Sequence, residues 1–299
     1  LFSSEKLYKH FIRDNYDLIV FYLEGPTARI VSGCTNPNTK LVSWIHIEQH
    51  TKELASKSFR SYKEALDCYS KFDRTVCVSD TVKDDFESIF DTKKPVEVLY
   101  NTNESEKIKK LSDEKVDDVD FSKDTINIIS VAKIVPSKGY DRLMKIHKKL
   151  IEKNIKNHIY ILGIGEEKEK YEKYLTENNL TDTFTFLGYR DNPYKYVKKA
   201  DLYVCSSRRE GFSTAVTEAL IVGTPVVSTN CSGAYELLGK NNEYGIVTEN
   251  NEDALYEGIK KMLTTPDLLE AYAAKAKERG KAFSTEKTVK AVEEMLSTL

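Results

Sequence analysis

The sequence predicts an α/β fold with parallel β-sheets, arranged as two domains. Short apolar segments of strand length alternate with longer segments in which apolar residues recur at helical spacing. Such alternation is typical of β-α-β units, whose strands lie parallel in one sheet. Residues 101–121 interrupt this order with a polar stretch, in which only one short helix is predicted, at 104–111. We therefore expect one sheet on each side of that stretch.

Composition and charge exclude several classes of protein. The chain has 299 residues, of which 40% are hydrophobic and 31% are charged, so it is globular rather than disordered. A net charge of −2 argues against a protein that binds nucleic acid through its overall charge. We find no run of about 18 apolar residues and no secretory signal. The five scattered cysteines lack metal-ligand spacing, and a cytoplasmic protein with reduced thiols is expected.

The elements predicted in the first half rest on short local patterns. Apolar runs predict the strands, and Ser79, followed by Asp80, is a favourable N-cap for the next helix. A turn is predicted at Glu24-Gly25-Pro26. The predicted strands are 17–23, 40–47, 74–79 and 95–100, and the predicted helices are one that ends near Arg13, 51–70 and 81–90.

The helix predicted from Thr51 to Ser70 is amphipathic and has a basic face. A solvated surface is the simpler interpretation of this face. The alternative is peripheral contact with an anionic membrane, at the inner face of the bilayer. The basic residues are Lys52, Lys57, Arg60 and Lys63.

His46 lies at the end of the second predicted strand, after Trp44 and Ile45. The carboxyl ends of parallel strands form the edge of the sheet at which ligands bind. A lone histidine is more often structural than functional, so this position favours a site without establishing one.

The second half repeats the alternation of strands and helices. Runs of β-branched and aromatic residues predict the strands, and glycine or proline marks the ends of several helices. The predicted strands are 125–132, 158–162, 184–188, 201–205, 225–227 and 244–248, and the predicted helices are 140–153, 193–199, 213–222, 232–237, 252–263, 266–281 and a last one that runs toward Leu299.

Residues 201–227 form the most informative stretch of the sequence. A buried strand leads through polar residues to Gly211, and a helical pattern begins at Ser213 and ends at Gly223. The start of that helix lies at the carboxyl end of a strand, where its N–H groups favour a phosphate. Glu210 and Glu218 flank this position and can accept hydrogen bonds from sugar hydroxyls. From spacing alone, a turn glycine and two solvated glutamates would be an equally good interpretation.

Two lysines lie between the strand at 125–132 and the helix at 140–153. Lys133 follows the strand directly, and Lys138 precedes Gly139. Lysine binds phosphate as a point charge, although lysines are plentiful on the surface of this protein. The turn Gly163-Ile164-Gly165 follows the next strand, and such a motif is a weak signal by itself.

Together these motifs resemble the signature of retaining GT-B glycosyltransferases of the large group 1 family. Bacterial glycogen synthases and sugar-nucleotide transferases of cell-envelope assembly typify that family. Its signature is Glu, seven residues, Glu, set within Glu-Gly-Phe and Glu-Ala-Leu-x-x-Gly-x-Pro-Val. The resemblance covers residues 125–283 closely and the first half more loosely. The matching residues are Glu210, Gly211, Phe212, Glu218, Ala219, Leu220, Gly223, Pro225 and Val226.

The resemblance implies a GT-B fold, in which two Rossmann-like domains face each other across a cleft. Residues 1–121 would form the acceptor-side domain and 122–283 the nucleotide-sugar-binding domain. A C-terminal helix, 284–299, would cross back to the first domain. Nothing in the sequence matches the strand and glycine-rich loop with which the family begins, so we expect the natural start of the first domain to be missing.

The resemblance also implies roles for individual residues. The catalytic residues would be Glu210 and His46, which hold the donor sugar, and Lys138, which neutralises the leaving diphosphate. Lys133 replaces an arginine of the family pattern, which keeps the charge but not the bidentate fork. Glu218 would bind the ribose, and Arg190 lies where the family contacts the base. The donor-binding residues would be Lys133, Lys138, Gly165, Arg190, Gly211, Phe212, Ser213, Thr214 and Glu218.

The implied activity is the transfer of a sugar, with retention, from a nucleotide-diphosphate sugar, for which UDP is favoured over GDP. The acceptor would be a glycan or a lipid-linked sugar in bacterial cell-surface polysaccharide synthesis. No cofactor is implied beyond the donor, and no metal is expected to be required, because fixed positive groups neutralise the diphosphate.

Two alternatives to a glycosyltransferase stay open. A nucleotide-sugar epimerase of the same fold would need more acid and base residues around the sugar than the motifs supply. A non-catalytic partner subunit of a glycosyltransferase is the other, and the intact pair Glu210 and Glu218, with both lysines, argues against it.

Overall fold

The structure, a computed structural model, describes residues 2–122 and 124–299. It confirms the predicted α/β class, because the described residues form one parallel sheet of four strands and another of six. These sheets lie in two compact units. One combines the residues up to Asn101 with Thr288–Leu299, and the other is Thr102–Lys287. The predicted functional limits at residues 121 and 283 stay predictions, since compactness alone does not define a functional domain.

The smaller unit contains the four-stranded sheet. Its strands are Leu18–Phe21 (β1), Lys40–Ile45 (β2), Arg74–Cys77 (β3) and Val96–Val98 (β4), and the helices of its continuous part are Ser4–Phe11 (α1), Pro26–Val31 (α2), Lys52–Ala55 (α3), Tyr62–Tyr69 (α4) and Asp80–Ile89 (α5). The strands lie in the order β1-β2-β3-β4, and all neighbours are parallel. Their carboxyl ends therefore lie along one edge of the sheet.

The prediction of one long helix from Thr51 to Ser70 is wrong, because two short helices, α3 and α4, occupy this stretch. Each helix has its own N-cap. Thr51 Oγ1 accepts a hydrogen bond from Leu54 N at 3.2 Å, and Ser61 Oγ accepts one from Glu64 N at 3.2 Å. Serine and threonine side chains compete in this way with a continuous helix. The predicted basic face is therefore not one helical surface.

The turn predicted at Glu24-Gly25-Pro26 continues into helix α2, which the sequence analysis did not identify. Gly25 has a φ of 85°, and Pro26 takes the first helical position, where a missing N–H has no cost. The helix has six residues, which is too short for a periodic apolar pattern.

The larger unit contains the six-stranded sheet. Its strands are Ile126–Val131 (β5), Asn157–Leu162 (β6), Phe184–Gly188 (β7), Leu202–Cys205 (β8), Val226–Thr229 (β9) and Ile246–Thr248 (β10). The helices from residue 102 onward are Ser105–Ser112 (α6), Tyr140–Glu152 (α7), Lys168–Glu177 (α8), Tyr194–Lys199 (α9), Thr214–Val222 (α10), Ala234–Leu238 (α11), Glu252–Thr264 (α12), Leu268–Gly280 (α13) and Thr285–Leu296 (α14). One-turn 3₁₀ helices occupy Pro136–Lys138 and Lys281–Phe283.

The strand order of the larger sheet is β10-β9-β8-β5-β6-β7, with all neighbours parallel. Counted from β5, this is the order of a Rossmann fold. The chain proceeds from β5 to one side of the sheet, through β6 and β7, and returns to the other side at β8. The connections after β5 and β8 therefore diverge, and a crevice opens between them at the carboxyl ends of these two strands.

Apolar side chains bury both faces of this sheet. On one face, Ile128 and Leu202 are fully buried and pack with Leu143 of α7 in the same core cluster. On the other face, Ile129 and Tyr203 are also buried. Parallel strands that are covered by helices on both sides are expected to be apolar throughout, as these are. Among the described residues, no helix has both the length and the apolar character needed to cross a bilayer.

A buried polar network connects α7 to this sheet. His147 is fully buried, with Nδ1 at 2.8 Å from Asn157 Oδ1 and Nε2 at 2.8 Å from Thr183 Oγ1. Burial lowers the pKa of His147 to about 4, against the opposing effect of the hydrogen bond to Asn157. The imidazole is therefore neutral at neutral pH, and both ring nitrogens have a partner.

His147 should make the stability of this unit dependent on pH. Its pKa in the folded protein is below the ordinary value of 6.5, so its contribution is complete above pH 6.5 and is lost as the pH falls through about 4. Between pH 7.5 and 5.0, the wild type should lose about 2 kcal/mol more unfolding free energy than His147→Gln. Urea unfolding of both proteins at the two pH values measures the difference. The same pH dependence in both proteins would contradict the assignment.

Candidate functional site

A cavity of about 290 Å³ lies at the carboxyl ends of β5 and β8, where the larger sheet changes direction. Its walls come from the ends of these strands, the loops that follow them and the first turn of α10. Ligands of open α/β sheets bind at this kind of switch point. Six of the predicted site residues line the cavity: the catalytic candidate Glu210 and the donor-binding candidates Lys133, Lys138, Phe212, Ser213 and Thr214.

Helix α10 points its N-terminus at this cavity. Ser213 is the N-cap, and its Oγ accepts a hydrogen bond from Val216 N at 3.4 Å. The helix ends at Gly223, which has a φ of 84°, so both predicted ends are confirmed. Thr214 and Ala215 in the first turn line the cavity. The first N–H groups of a helix have no partner within it and carry a partial positive charge, so this wall favours an anion.

An ion pair joins the two loops across the cavity. Lys138 Nζ lies 2.7 Å from Glu210 Oε1, and Ser207 Oγ donates a hydrogen bond of 2.6 Å to the same oxygen. The side chains of Lys138 and Glu210 are only 23% and 15% exposed. Their attraction is therefore less screened by solvent than that of a surface pair. Two residues that the sequence assigned to different parts of the donor are thus in direct contact.

Arg142 on α7 is hydrogen-bonded to the loop that follows β8, called the β8 loop below. The sequence analysis did not identify this residue. The residue is 5% exposed, and its guanidinium donates hydrogen bonds to the backbone carbonyls of Ser206, at 2.9 and 2.5 Å, and Ser207, at 2.7 Å. Burial lowers the pKa of Arg142, and the nearby charge of Arg208 adds to this effect. A single arginine three residues into a predicted helix gives no sequence signal of such a role.

At the surface, Arg208 links the β8 loop to the loop that follows β5 and to the start of α7. The guanidinium of Arg208 makes two hydrogen bonds to the carboxylate of Asp141, at 2.8 and 2.7 Å, and a third to the carbonyl of Pro136 at 2.7 Å. The hydrogen bond from Arg208 is the largest cause of a lowered pKa at Asp141. The sequence places these partners 67 residues apart, so only the fold reveals the pair.

Gly165 lies behind the β5 loop rather than on the cavity wall. A Cβ at Gly165 would lie 2.2 Å from the carbonyl oxygen of Ile134, and one at Gly163 would lie 1.9 Å from that of Ala132. The glycines allow this turn to approach the loop, and Ile134 N donates to the carbonyl of Ile164 at 2.9 Å. The turn therefore supports the loop that carries Lys133 and Lys138.

Glu218 lies one turn into α10, outside the lining of the cavity. Its carboxylate is half-buried and accepts a hydrogen bond of 3.4 Å from Tyr194. Burial raises the pKa of Glu218 to about 7, against the opposing effect of that hydrogen bond. A carboxyl group in this environment gains from further hydrogen-bond donors, such as a pair of hydroxyls.

Gly211 and Arg190 are the other predicted donor ligands that do not line this cavity. Gly211 lies between two lining residues, Glu210 and Phe212. Arg190 follows β7, and its Nε donates to Asp118 Oδ2 at 3.2 Å, while its Nη1 donates to the carbonyl of Tyr189 at 3.1 Å. The position of Arg190 is therefore set by the segment that precedes β5.

In the smaller unit, His46 directly follows β2, which ends two residues before the predicted end of this strand, so His46 still lies at its carboxyl end. Its backbone N–H donates to Glu24 Oε2 at 3.3 Å, and its ring lies 4.6 Å from the ring of Tyr22. Burial lowers the pKa of His46, against the opposing effects of Glu24 and a hydrogen bond to the backbone of Tyr22. Within the described residues, the buried Nε2 of His46 has no hydrogen-bond partner. A buried nitrogen of this kind can bind a hydroxyl group.

Fixed groups of the protein supply positive charge to this cavity. Lys133 and Lys138 supply two cations to the lining, and the start of α10 supplies N–H groups. Residues 2–122 and 124–299 contain no group of three or more His, Cys, Asp or Glu side chains that could hold a metal ion.

Comparison with known proteins identifies the family. The family described as Glycosyl transferases group 1 matches residues 112–279 of this chain. The chain belongs to this family. The matched segment contains the cavity, both lysines and both glutamates of the signature. The protein is therefore a glycosyltransferase, as the resemblance of its motifs implied.

Two bacterial relatives show how far the similarity extends. One is the N-acetylgalactosamine-N,N'-diacetylbacillosaminyl-diphospho-undecaprenol 4-alpha-N-acetylgalactosaminyltransferase of Campylobacter jejuni, which is 31% identical over 91% of this glycosyltransferase and 70% of its own length. The other is the poly(ribitol-phosphate) alpha-N-acetylglucosaminyltransferase of Staphylococcus aureus, which is 25% identical over 89% of this chain. The chain spans about half, 52%, of that second relative.

Solved structures show that the fold is the GT-B fold of glycosyltransferases. The crystal structure of Anabaena HepE in complex with UDP has a TM-score of 0.78 to this glycosyltransferase and 17% sequence identity. The match covers 99% of this chain and 81% of HepE. At this level of identity, the comparison establishes the architecture of the chain.

Glu218 should lower the stability of the glycosyltransferase at alkaline pH. Its folded pKa, about 7, is above the ordinary value of 4.5, so its contribution is complete below pH 4.5 and is lost as the pH rises through 7. Between pH 5 and pH 8, Glu218→Gln should gain about 2 kcal/mol over the wild type, less than the full linkage value because the carboxyl is partly exposed.

Thermal or urea unfolding of both proteins at the two pH values measures this gain. Glu169→Gln on α8, which changes an exposed carboxylate, is the matched control and should follow the wild type. A constant stability difference between Glu218→Gln and the wild type would mean that Glu218 ionises normally.

Proposed function

We propose that this glycosyltransferase moves a sugar, with retention of configuration, from a UDP-sugar to a glycan or lipid-linked acceptor in bacterial cell-surface glycan synthesis. One observation carries the proposal. The cavity at the switch point of the larger sheet combines two lysines and a helix N-terminus, which suit a diphosphate, with a carboxylate, which suits sugar hydroxyls.

The positive groups would act on the leaving group. As the bond between the sugar and the diphosphate breaks, negative charge develops on the diphosphate oxygen. Lys133 and Lys138 line the cavity together with Ser213, Thr214 and Ala215, which form the start of α10. Positive groups that are already in place stabilise this charge without reorganisation in the transition state, which can lower the barrier by several kcal/mol.

The carboxylates would orient the donor. Both hydrogen bonds that the described residues donate to Glu210 end on Oε1, which leaves Oε2 for sugar hydroxyls. Glu218, half-buried and beside the phenol of Tyr194, is suited to the ribose hydroxyls. The contacts of His46 with the donor sugar and of Arg190 with the base stay predictions from the resemblance.

The comparisons favour UDP and an anomeric configuration that is retained. The related structure of HepE is described as a complex with UDP, and the names of both bacterial relatives specify an alpha linkage. An enzyme that forms an alpha linkage from an alpha-linked nucleotide sugar retains configuration. One relative acts on an undecaprenol-linked sugar and the other on a poly(ribitol phosphate), which supports a surface-glycan acceptor.

Peripheral contact with the membrane is part of the proposal, and its support is the undecaprenol-linked acceptor of the Campylobacter relative. The basic helix predicted for this contact is two helices. Of its residues, Arg60 forms an ion pair of 2.8 Å with Glu64, and Lys52 lies 5.1 Å from the centre of the Tyr62 ring. All four basic side chains of this stretch are exposed, so a membrane contact through them stays a prediction.

Calorimetric titration of UDP, GDP and ADP, each with and without Mg²⁺, is the first test. We expect UDP to bind more tightly than GDP or ADP, and to bind without Mg²⁺, because lysines and helix N–H groups supply the positive charge. Binding only in the presence of Mg²⁺ would contradict the metal-free site. Tight binding of GDP alone would change the donor class.

Two variants separate binding from chemistry. Glu218→Ala should raise the Kd of UDP about tenfold, because the ribose hydroxyls lose a carboxylate partner. Lys138→Ala should lower kcat about 100-fold, because the leaving diphosphate loses a cation. Turnover of the donor sugar found by screening, and calorimetry with UDP, measure the two effects. Lys173→Ala on α8 is the control for loss of a surface lysine, and near-normal kinetics in both test variants would contradict the assigned roles.

A further inference from the structure

We infer that the ion pair between Lys138 and Glu210 makes the donor site discriminate against the free nucleoside diphosphate, the product of transfer. The inference rests on the proposed function and adds a role for Glu210 beyond its contact with the sugar. It follows from the atoms that already surround the Lys138 ammonium in the cavity.

Glu210 holds the ammonium of Lys138 tightly from one side. The distance from Lys138 Nζ to Glu210 Oε1 is 2.7 Å, and Ser207 Oγ fixes the same oxygen from 2.6 Å. The backbones on both sides are also held. Ser206 Oγ donates to the carbonyl of Lys138 at 2.8 Å, and Arg142 donates to the carbonyls of Ser206 and Ser207. Glu210 therefore cannot withdraw from the ion pair without also breaking its hydrogen bond to Ser207, and the backbone of Lys138 is held by Ser206.

A phosphate that binds Lys138 must share the ammonium with this carboxylate. An ammonium has three N–H donors, so it can contact both anions. Two anions on one ammonium lie within about 6 Å of each other and repel, in a cavity where solvent screens them poorly. The repulsion grows with the charge of the phosphate, while the attraction of the single ammonium is divided between two partners.

Free UDP and an intact UDP-sugar differ in that charge. The distal phosphate of the nucleotide sugar is linked to both the sugar and the inner phosphate, and it has one negative charge. In UDP it is a terminal group whose second ionisation has a pKa of about 6, so it has nearly two negative charges at pH 7.5. The intact donor also offers hydroxyl groups to Glu210 Oε2, which free UDP lacks. The same carboxylate therefore favours the substrate and disfavours the product.

During the transfer step, the effect of Glu210 on binding changes from favourable to unfavourable. The bond from the sugar carbon to the distal phosphate oxygen breaks, a bond from that carbon to the acceptor oxygen forms, and the proton of the acceptor hydroxyl is released to water. The bonding electrons stay with the phosphate, which gains a negative charge as Glu210 loses its hydroxyl partners. Glu210 then competes for Lys138 and promotes release of UDP.

The test compares UDP with its β-methyl ester, whose distal phosphate has one charge and no sugar. Both are titrated by calorimetry at pH 7.5 into the wild type, Glu210→Gln and Glu210→Ala. In both variants the Kd of UDP should fall about three- to tenfold, and the Kd of the ester about twofold or less. Glu169→Gln makes the same change in net charge at an exposed position of α8 and should leave both values unchanged.

The pH gives a second measurement of the same effect. At pH 5.5 the terminal phosphate of UDP has mostly one charge. The fall in the Kd of UDP that Glu210→Gln causes should therefore shrink to the small fall expected for the ester. UDP binding that is unchanged or weaker in both Glu210 variants, with unfolding midpoints like that of the wild type, would overturn the inference and leave the proposed function intact. No binding of UDP by the wild type or by either variant would contradict both the inference and the proposed function.

Discussion

The close approach of the loops that follow β5 and β8 is the constraint on which the candidate site depends. Gly139 has a φ of 70°, and a Cβ there would lie 2.1 Å from the carbonyl oxygen of Ser206. Any other residue at this position would force the loops apart. The ion pair of Lys138 and Glu210 spans these loops, so its 2.7 Å distance exists only because the backbones can come this close.

Two arginines that contact the β8 loop, Arg142 and Arg208, differ in the charge of their hydrogen-bond partners. Arg142 is buried and donates to two backbone carbonyls, which are neutral and do not cancel its positive charge. A carboxylate partner would have cancelled that charge. The exposed guanidinium of Arg208, by contrast, is paired with Asp141 and acts as a brace. Two arginines attached to the same loop thus have different electrostatic effects, because one has neutral partners and the other an anion.

Much of this architecture could be predicted from local patterns. Both ends of α10 were identified, because Ser213 and Gly223 have the capping preferences that their backbone conformations require. The helix predicted at 51–70 failed, because a periodic apolar pattern does not reveal that a second cap, Ser61, begins a new helix. Helix α2 was missed, since six residues contain too little periodicity to detect.

By itself, the sequence determined the α/β class, the family signature, the connections between elements that carry Lys133, Lys138 and Glu210, and the helix that carries Glu218. These properties are local, because capping, hydrophobic period and motif spacing are written in adjacent residues. Only the tertiary structure decided which of these residues meet. It paired Lys138 with Glu210, placed Arg142 beneath the β8 loop and left Glu218 half-buried beside Tyr194. Contacts between residues 24 to 72 positions apart depend on strand order and on loop approach, and neither leaves a mark in the local sequence.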